Sequence, residues 1–298
     1  MNSLVKLSLV LVFASCLGCT GNANGGCIAH RNIAYATVPG VDANLLSLDL
    51  YTADPMPSKP VPVVIWVHGG GWAIGDKSNG MQVKRALFTG AGYCFVSINY
   101  RLSPKQQNGN PNRIMYPVHE QDVASAIAWV HSHAAEYGGD PERIALMGHS
   151  AGAHLVSIVS TDESFLKAHD LALSIIKGTI SLDTAGDNIP VVMERDPAGI
   201  YENAFGKDPA VWKQASPLCH VAAGKGIPPF LLVTRGMPAR RKQCGDFAAA
   251  LQKAGVKAAV VDATGYSHNE VNRKIGETGE AVVTPPVMQF LAACFLAR

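Results

Sequence analysis

Ile144-Ala145-Leu146-Met147-Gly148-His149-Ser150-Ala151-Gly152 is the stretch that decides how this chain folds. Four apolar residues of strand character run into a glycine, a histidine and a serine, and then into a segment of small residues suited to a helix. A strand turning sharply into a helix lifts the serine hydroxyl above the sheet edge. The flanking glycines are needed because neighbouring backbone comes too close for a Cβ. Upstream, His68-Gly69-Gly70-Gly71-Trp72 follows another apolar run, residues 61–67. Its glycines leave bare N–H groups that can meet a developing negative charge. Each segment alone is a weak signal. Both after strands, in this order, point to acyl transfer at a serine.

Outward from these segments, short apolar runs alternate with helical ones. Residues 61–67, 94–98, 144–147, 179–182, 230–233 and 258–261 read as strands. Residues 81–91, 117–135, 151–160, 247–254 and 286–296 read as helices, with Val123, Ile127 and Val130 on one face of the second. Such alternation implies a parallel sheet covered on both faces. Residues 33–51 alternate polar and apolar around Gly40, as an antiparallel hairpin would, and the four prolines of residues 53–62 make a loop. One stretch breaks the rhythm. Residues 187–228 carry Met193, Tyr201, Phe205 and Trp212 among prolines and glycines. That stretch reads either as a small lid lining a pocket or as a core-packed excursion.

The chain has 298 residues, 48% of them hydrophobic and 16% charged, with a formal net charge of +2. This fits one large globular domain and gives no reason to expect nucleic acid or an anionic membrane as partner. Lys6 followed by the apolar residues 7–17 has the form of an export signal, too short to span a bilayer. Residues 1–26 are therefore expected to be leader and linker and 27–298 the exported domain, either free or held by a lipid on Cys16 or Cys19. Five further cysteines remain, Cys27, Cys94, Cys219, Cys244 and Cys294, so at least one is unpaired. Cys94, inside an apolar strand, is expected as a buried thiol. No Cys/His spacing suits zinc or haem, and neither metal nor organic cofactor is expected.

With residues 68–72 and 148–155, Ser97-Ile98-Asn99-Tyr100-Arg101-Leu102-Ser103-Pro104 and Gly138-Gly139-Asp140-Pro141-Glu142-Arg143-Ile144 complete a pattern. The chain resembles the hormone-sensitive-lipase-like esterases of the α/β-hydrolases, in the small-cap branch that includes feruloyl-type esterases and kynurenine formamidase. The resemblance implies a mostly parallel sheet with helices on both faces and a small lid. It implies Ser150 as nucleophile and the N–H groups of Gly70, Gly71 and Ala151 as oxyanion donors, with Trp72 and Tyr266 at the substrate. The expected reaction is hydrolysis of a small-molecule ester through an acyl-enzyme. The chain order in this fold is serine, acid, histidine, and His268, past the last strand, is the only histidine beyond His220.

The acid departs from the family pattern. Its usual loop reads Arg235-Gly236-Met237-Pro238-Ala239-Arg240-Arg241 and holds no carboxylate. Asp246 should lie on the following helix, pointing away. Asp183, at the C-terminal edge of the preceding strand, keeps the chain order and lies beside the usual position. Asp187 and Asp262 are the other candidates, and an incomplete triad is a further reading. Two functional alternatives stand beside carboxylesterase: an arylformamidase or other amidase with the same machinery, and a catalytically weak ligand-binding protein.

Overall fold

The computed structural model describes residues 26–103, 110, 113–196 and 199–296. The expected leader, with Cys16 and Cys19, lies outside these residues apart from Gly26. Among the described residues, no helix is long and apolar enough to cross a membrane.

Among the described residues, eight strands form one sheet: β1 Cys27–Ala34, β2 Ser47–Ala53, β3 Val61–Val67, β4 Cys94–Ile98, β5 Gly139–His149, β6 Ile176–Leu182, β7 Phe230–Thr234 and β8 Ala258–Asp262. Their order is β1-β2-β4-β3-β5-β6-β7-β8, and only the β1/β2 and β2/β4 pairs are antiparallel. The helices are α1 Met81–Gly90, α2 Val118–His133, α3 Ala151–Val159, α4 Glu163–Lys167, α5 Ile189–Met193, α6 Ile200–Phe205, α7 Pro209–Gln214, α8 Pro238–Lys253, α9 His268–Arg273 and α10 Thr284–Leu296.

The sheet is buried on both faces because β3, at its centre, is apolar at every position. Val63, Ile65 and Val67 of β3 pack with α2 and α3, including Val123, Ile127, Leu155 and Val156. Val64 and Trp66, the alternate residues, pack on the opposite face with Phe88 of α1 and Val287 and Leu291 of α10. One strand thus feeds two cores, as side chains two apart share a face.

β5 and α8 run well beyond their apolar patterns. β5 begins at Gly139, and its first residues are polar, with Arg143 Nε bonded to Asp140 2.6 Å away. That stretch pairs irregularly with β3, so hydrophobic periodicity does not mark it. α8 begins at Pro238, whose fixed φ suits the first helical position. Its opening turns are Arg- and Lys-rich and present no apolar stripe. The described part of residues 187–228 forms α5, α6 and α7 and a short 3-10 turn, Pro217–His220. Phe205 and Ala204 there are buried in the main core, whereas Ile200 and Tyr201 reach a cavity above the sheet.

Candidate active site

The cavity lies at the C-terminal ends of the central strands, where adjacent strands in an open parallel sheet leave a crevice. Its volume is about 620 Å³, and Ser150, His268, Gly70, Gly71, Ala151 and Tyr201 are among the residues that line it.

Ser150 stands between β5 and α3 with φ 57° and ψ −117°. This strained backbone is held by the Ser150 N–H donating to Leu182 O of the neighbouring strand at 2.9 Å. Gly70 has φ +120°, and a Cβ there would meet Ile74 O at 1.9 Å, so only glycine fits that turn. The N–H groups of Gly70, Gly71 and Ala151 donate to no other described residue. His68 braces the same loop. It stacks on Tyr100 with ring centroids 4.5 Å apart, and the Tyr100 hydroxyl donates to His68 O at 3.1 Å.

His268 opens α9. Ser267 caps this helix, and its side chain and that of Glu270 bond reciprocally to each other's backbone N–H. From there His268 Nε2 lies 2.9 Å from Ser150 Oγ, and Nδ1 lies 2.5 Å from Asp183 Oδ2. An ionised carboxylate can only accept, so Nδ1 carries the proton and Nε2 is left to take the serine proton. Asp183 follows the last residue of β6 with φ +53°, and its N–H donates to Val233 O at 2.7 Å. β6 lies between β5 and β7, so a carboxylate at its end sits one strand nearer the serine than the acid-free loop after β7.

Asp183 has two further partners. Arg235 Nε donates to Oδ2 and Arg240 Nε to Oδ1, each at 2.6 Å, while Arg240 Nη2 donates to the Asp183 carbonyl at 2.9 Å. Burial works to raise the Asp183 pKa. The His268 hydrogen bond and the Arg240 and Arg235 guanidiniums overcome it and hold the carboxyl down at about 2. The other candidate acids are elsewhere. Asp262 is bonded to Arg241 and Thr264 at the surface, and Asp246 to Lys242. Asp187 is buried and does not touch His268, and its pKa is pushed up to about 7 by burial.

Two expected substrate contacts turn out differently. Tyr266 does not line the cavity. Its hydroxyl donates to Glu280 at 2.9 Å, and Lys274 Nζ sits 4.2 Å from its ring. Trp72 borders the cavity but is only 2% exposed, packed edge-on against His154, Tyr201 and Phe205. Its neighbours claim most of the ring. Sequence reasoning missed His149, Arg235 and Arg240. His149 Nε2 donates to His268 O at 2.8 Å, and burial, aided by the charge of His268, drives its pKa to about 3. Its signal was its place beside Ser150. The signal of the arginines was the loop in which a carboxylate was sought.

The BD-FAE family matches residues 48–237, which is well over half of the chain. The chain belongs to the BD-FAE family. Expected membership among the hormone-sensitive-lipase-like α/β-hydrolases is thereby borne out. Among curated proteins, Esterase LipQ of Mycobacterium tuberculosis is 31% identical over 242 residues, 76% of this chain and 55% of LipQ. The probable isoprenylcysteine alpha-carbonyl methylesterase ICMEL1 of Arabidopsis thaliana is 30% identical over 260 residues, 81% of this chain and 51% of that protein. The chain thus spans about half the length of these relatives. Among solved structures, esterase B of Lactobacillus rhamnosis aligns with a TM-score of 0.71 at 20% identity, covering 90% of this chain and 86% of its own. Esterase Est2 of Thermogutta terrifontis aligns at 0.68 with 24% identity, covering 90% of this chain and 94% of its own. The likeness to these structures establishes the α/β-hydrolase fold.

Proposed function

We propose that this protein is a serine carboxylesterase acting on small-molecule esters. The observation that carries the reading is the unbroken line from Asp183 through His268 to Ser150 inside a cavity bordered by uncommitted backbone N–H groups. His268 Nε2 takes the Ser150 proton as Oγ attacks the ester carbonyl, forming the new C–O bond. The N–H groups of Gly70, Gly71 and Ala151 receive the oxyanion, each such donor being worth about 3 kcal/mol of barrier. Asp183 holds the imidazole tautomer and stabilises the imidazolium, which then returns the proton to the leaving alcohol. Water, deprotonated by His268, attacks the acyl-enzyme, releases the acid and restores Ser150. Ile200 and Tyr201 bring residues 187–228 to the cavity as a small lid against the acyl or alcohol group. The names of LipQ and ICMEL1 support ester rather than amide hydrolysis.

The test is turnover of para-nitrophenyl esters of increasing acyl length together with fluorophosphonate labelling. Wild type should hydrolyse at least the short esters and label once. Ser150→Ala should label nowhere and lose about 10⁶-fold in kcat. Labelling that persists in the Ser150→Ala protein would contradict the assignment of the nucleophile.

A further inference from the structure

The segment after β7 lacks a carboxylate but carries three guanidiniums. That of Arg241 turns to Asp262, while those of Arg235 and Arg240 line the cavity beside His268. Their use on Asp183 is partial. Arg235 spends only Nε, at 2.6 Å, and its two terminal nitrogens make no hydrogen bond to another described residue. Arg240 spends Nε and Nη2 and keeps Nη1 without such a bond. The side chains are about a quarter exposed, 24% for Arg235 and 26% for Arg240.

The charge balance is unusual for a triad. During acyl transfer Asp183 has to stabilise a positive imidazolium. Two fixed cations on the same carboxylate oppose that charge, because like charges disfavour ionisation nearby. Buried Asp187 offsets Arg240 weakly, since burial keeps its carboxyl largely protonated below about pH 7. Asp76, the acidic residue among those lining the cavity, is bonded to Asn44, Ser78 and Asn99 beside the glycine loop, away from the two arginines' carboxylate partner. Around His268 the wall therefore carries a surplus of one positive charge, two arginines against Asp183. A negative group on the substrate would cancel the surplus and relieve the imidazolium as well.

We infer that the cavity selects esters bearing a carboxylate, received by the free terminal nitrogens of Arg235 with Arg240 beside them. This deepens the esterase reading and rests on it. Terminal guanidinium nitrogens take a carboxylate in a two-pronged, charge-assisted fashion, which a neutral isostere cannot reproduce. The carboxylate can sit on the alcohol or on the acyl part, and each places the charge on a different side of the scissile bond.

Two matched substrate pairs separate these sources. Para-acetoxybenzoate against para-acetoxybenzamide places the charge on the alcohol part. Mono-para-nitrophenyl adipate against para-nitrophenyl hexanoate places it on the acyl part. In at least one pair, kcat/KM of wild type should favour the anion by about tenfold or more at low ionic strength, falling as salt screens the site. Arg235→Gln should reduce the preference to within about twofold, and Arg235→Lys should retain part of it. The ratio within a pair is the readout, because loosening Asp183 slows both members alike. Calorimetric binding of benzoate against benzamide gives a measure independent of turnover, with the same expected ratio and the same response to Arg235→Gln. The inference is overturned if no pair favours the anion, or if the preference survives high salt or Arg235→Gln. Hydrolysis of neutral esters without anion preference would sink this inference and leave the esterase reading standing. Arginine-dependent benzoate binding with no ester turned over would do the reverse.

Discussion

Glu120, fully buried on α2, shows how individual side chains around the site set its response to pH. Its carboxyl has no hydrogen-bond partner among the described residues. It lies between His119 Nδ1 at 4.0 Å and His154 Nδ1 at 3.9 Å. Burial pushes its pKa up to about 8, while burial also pushes His119 down to about 3 and His154 to about 4. All three are therefore neutral at pH 7. For Glu120 the folded pKa is above the ordinary one, so its contribution to stability is complete below about 4.5 and is lost as pH rises through about 8. The two histidines act oppositely, being depressed, and cost stability as pH falls from about 6.5 towards 3. Glu120→Gln keeps the shape and cannot ionise. Its Tm relative to wild type should rise between pH 5 and pH 8 by about 2 °C or more. A difference that stays flat across that range would show that Glu120 does not titrate there. None of this is visible in the sequence, where His119-Glu120 reads as an ordinary polar pair at the start of a helix.

At the scale of elements, the turn from β5 into α3 is pressed closely against the end of β3, with which Gly148 is also paired. A Cβ on Gly152 would stand 2.1 Å from Val67 O and 2.6 Å from His68 O, and neither backbone atom can move without shifting β3 or the glycine loop. Gly152→Ala should therefore destabilise the protein by about 3 kcal/mol, measured by denaturant unfolding, and lower activity even in the folded fraction. Stability within about 0.5 kcal/mol of wild type would mean the turn is looser than its geometry. This element was legible because strand, glycines and helix follow one another along the chain. β3 and β4 were legible end to end for a similar reason, as apolar runs interrupted only by Ser97. The start of β5 and the first half of α8 were hidden because polar residues there take their conformation from tertiary pairing, which periodicity does not record. The glycine spacing likewise gave the backbone around the site, while Tyr266 and Trp72 show that side-chain exposure depends on packing across the sequence.

On the scale of the whole molecule, the sheet order brings together residues that the chain keeps far apart. β5 delivers Ser150, β6 delivers Asp183, the segment after β8 delivers His268, and β7, lying between the last two, leads directly into Arg235. The strand order makes β6 a neighbour of both β5 and β7, so an acid can change strand without the imidazole moving. The sequence left Asp183, Asp187 and Asp262 open as candidates, because only the fold tells which carboxylate ends its strand facing the histidine. The most direct test is the kcat of Asp183→Asn beside Asp262→Asn, both checked for folding by circular dichroism and assayed on one para-nitrophenyl ester. Asp183→Asn should lose about 10³–10⁴-fold in kcat with a much smaller change in KM, while Asp262→Asn stays within about tenfold of wild type. A folded Asp183→Asn protein that keeps more than about a tenth of the wild-type kcat would contradict Asp183 as the triad acid.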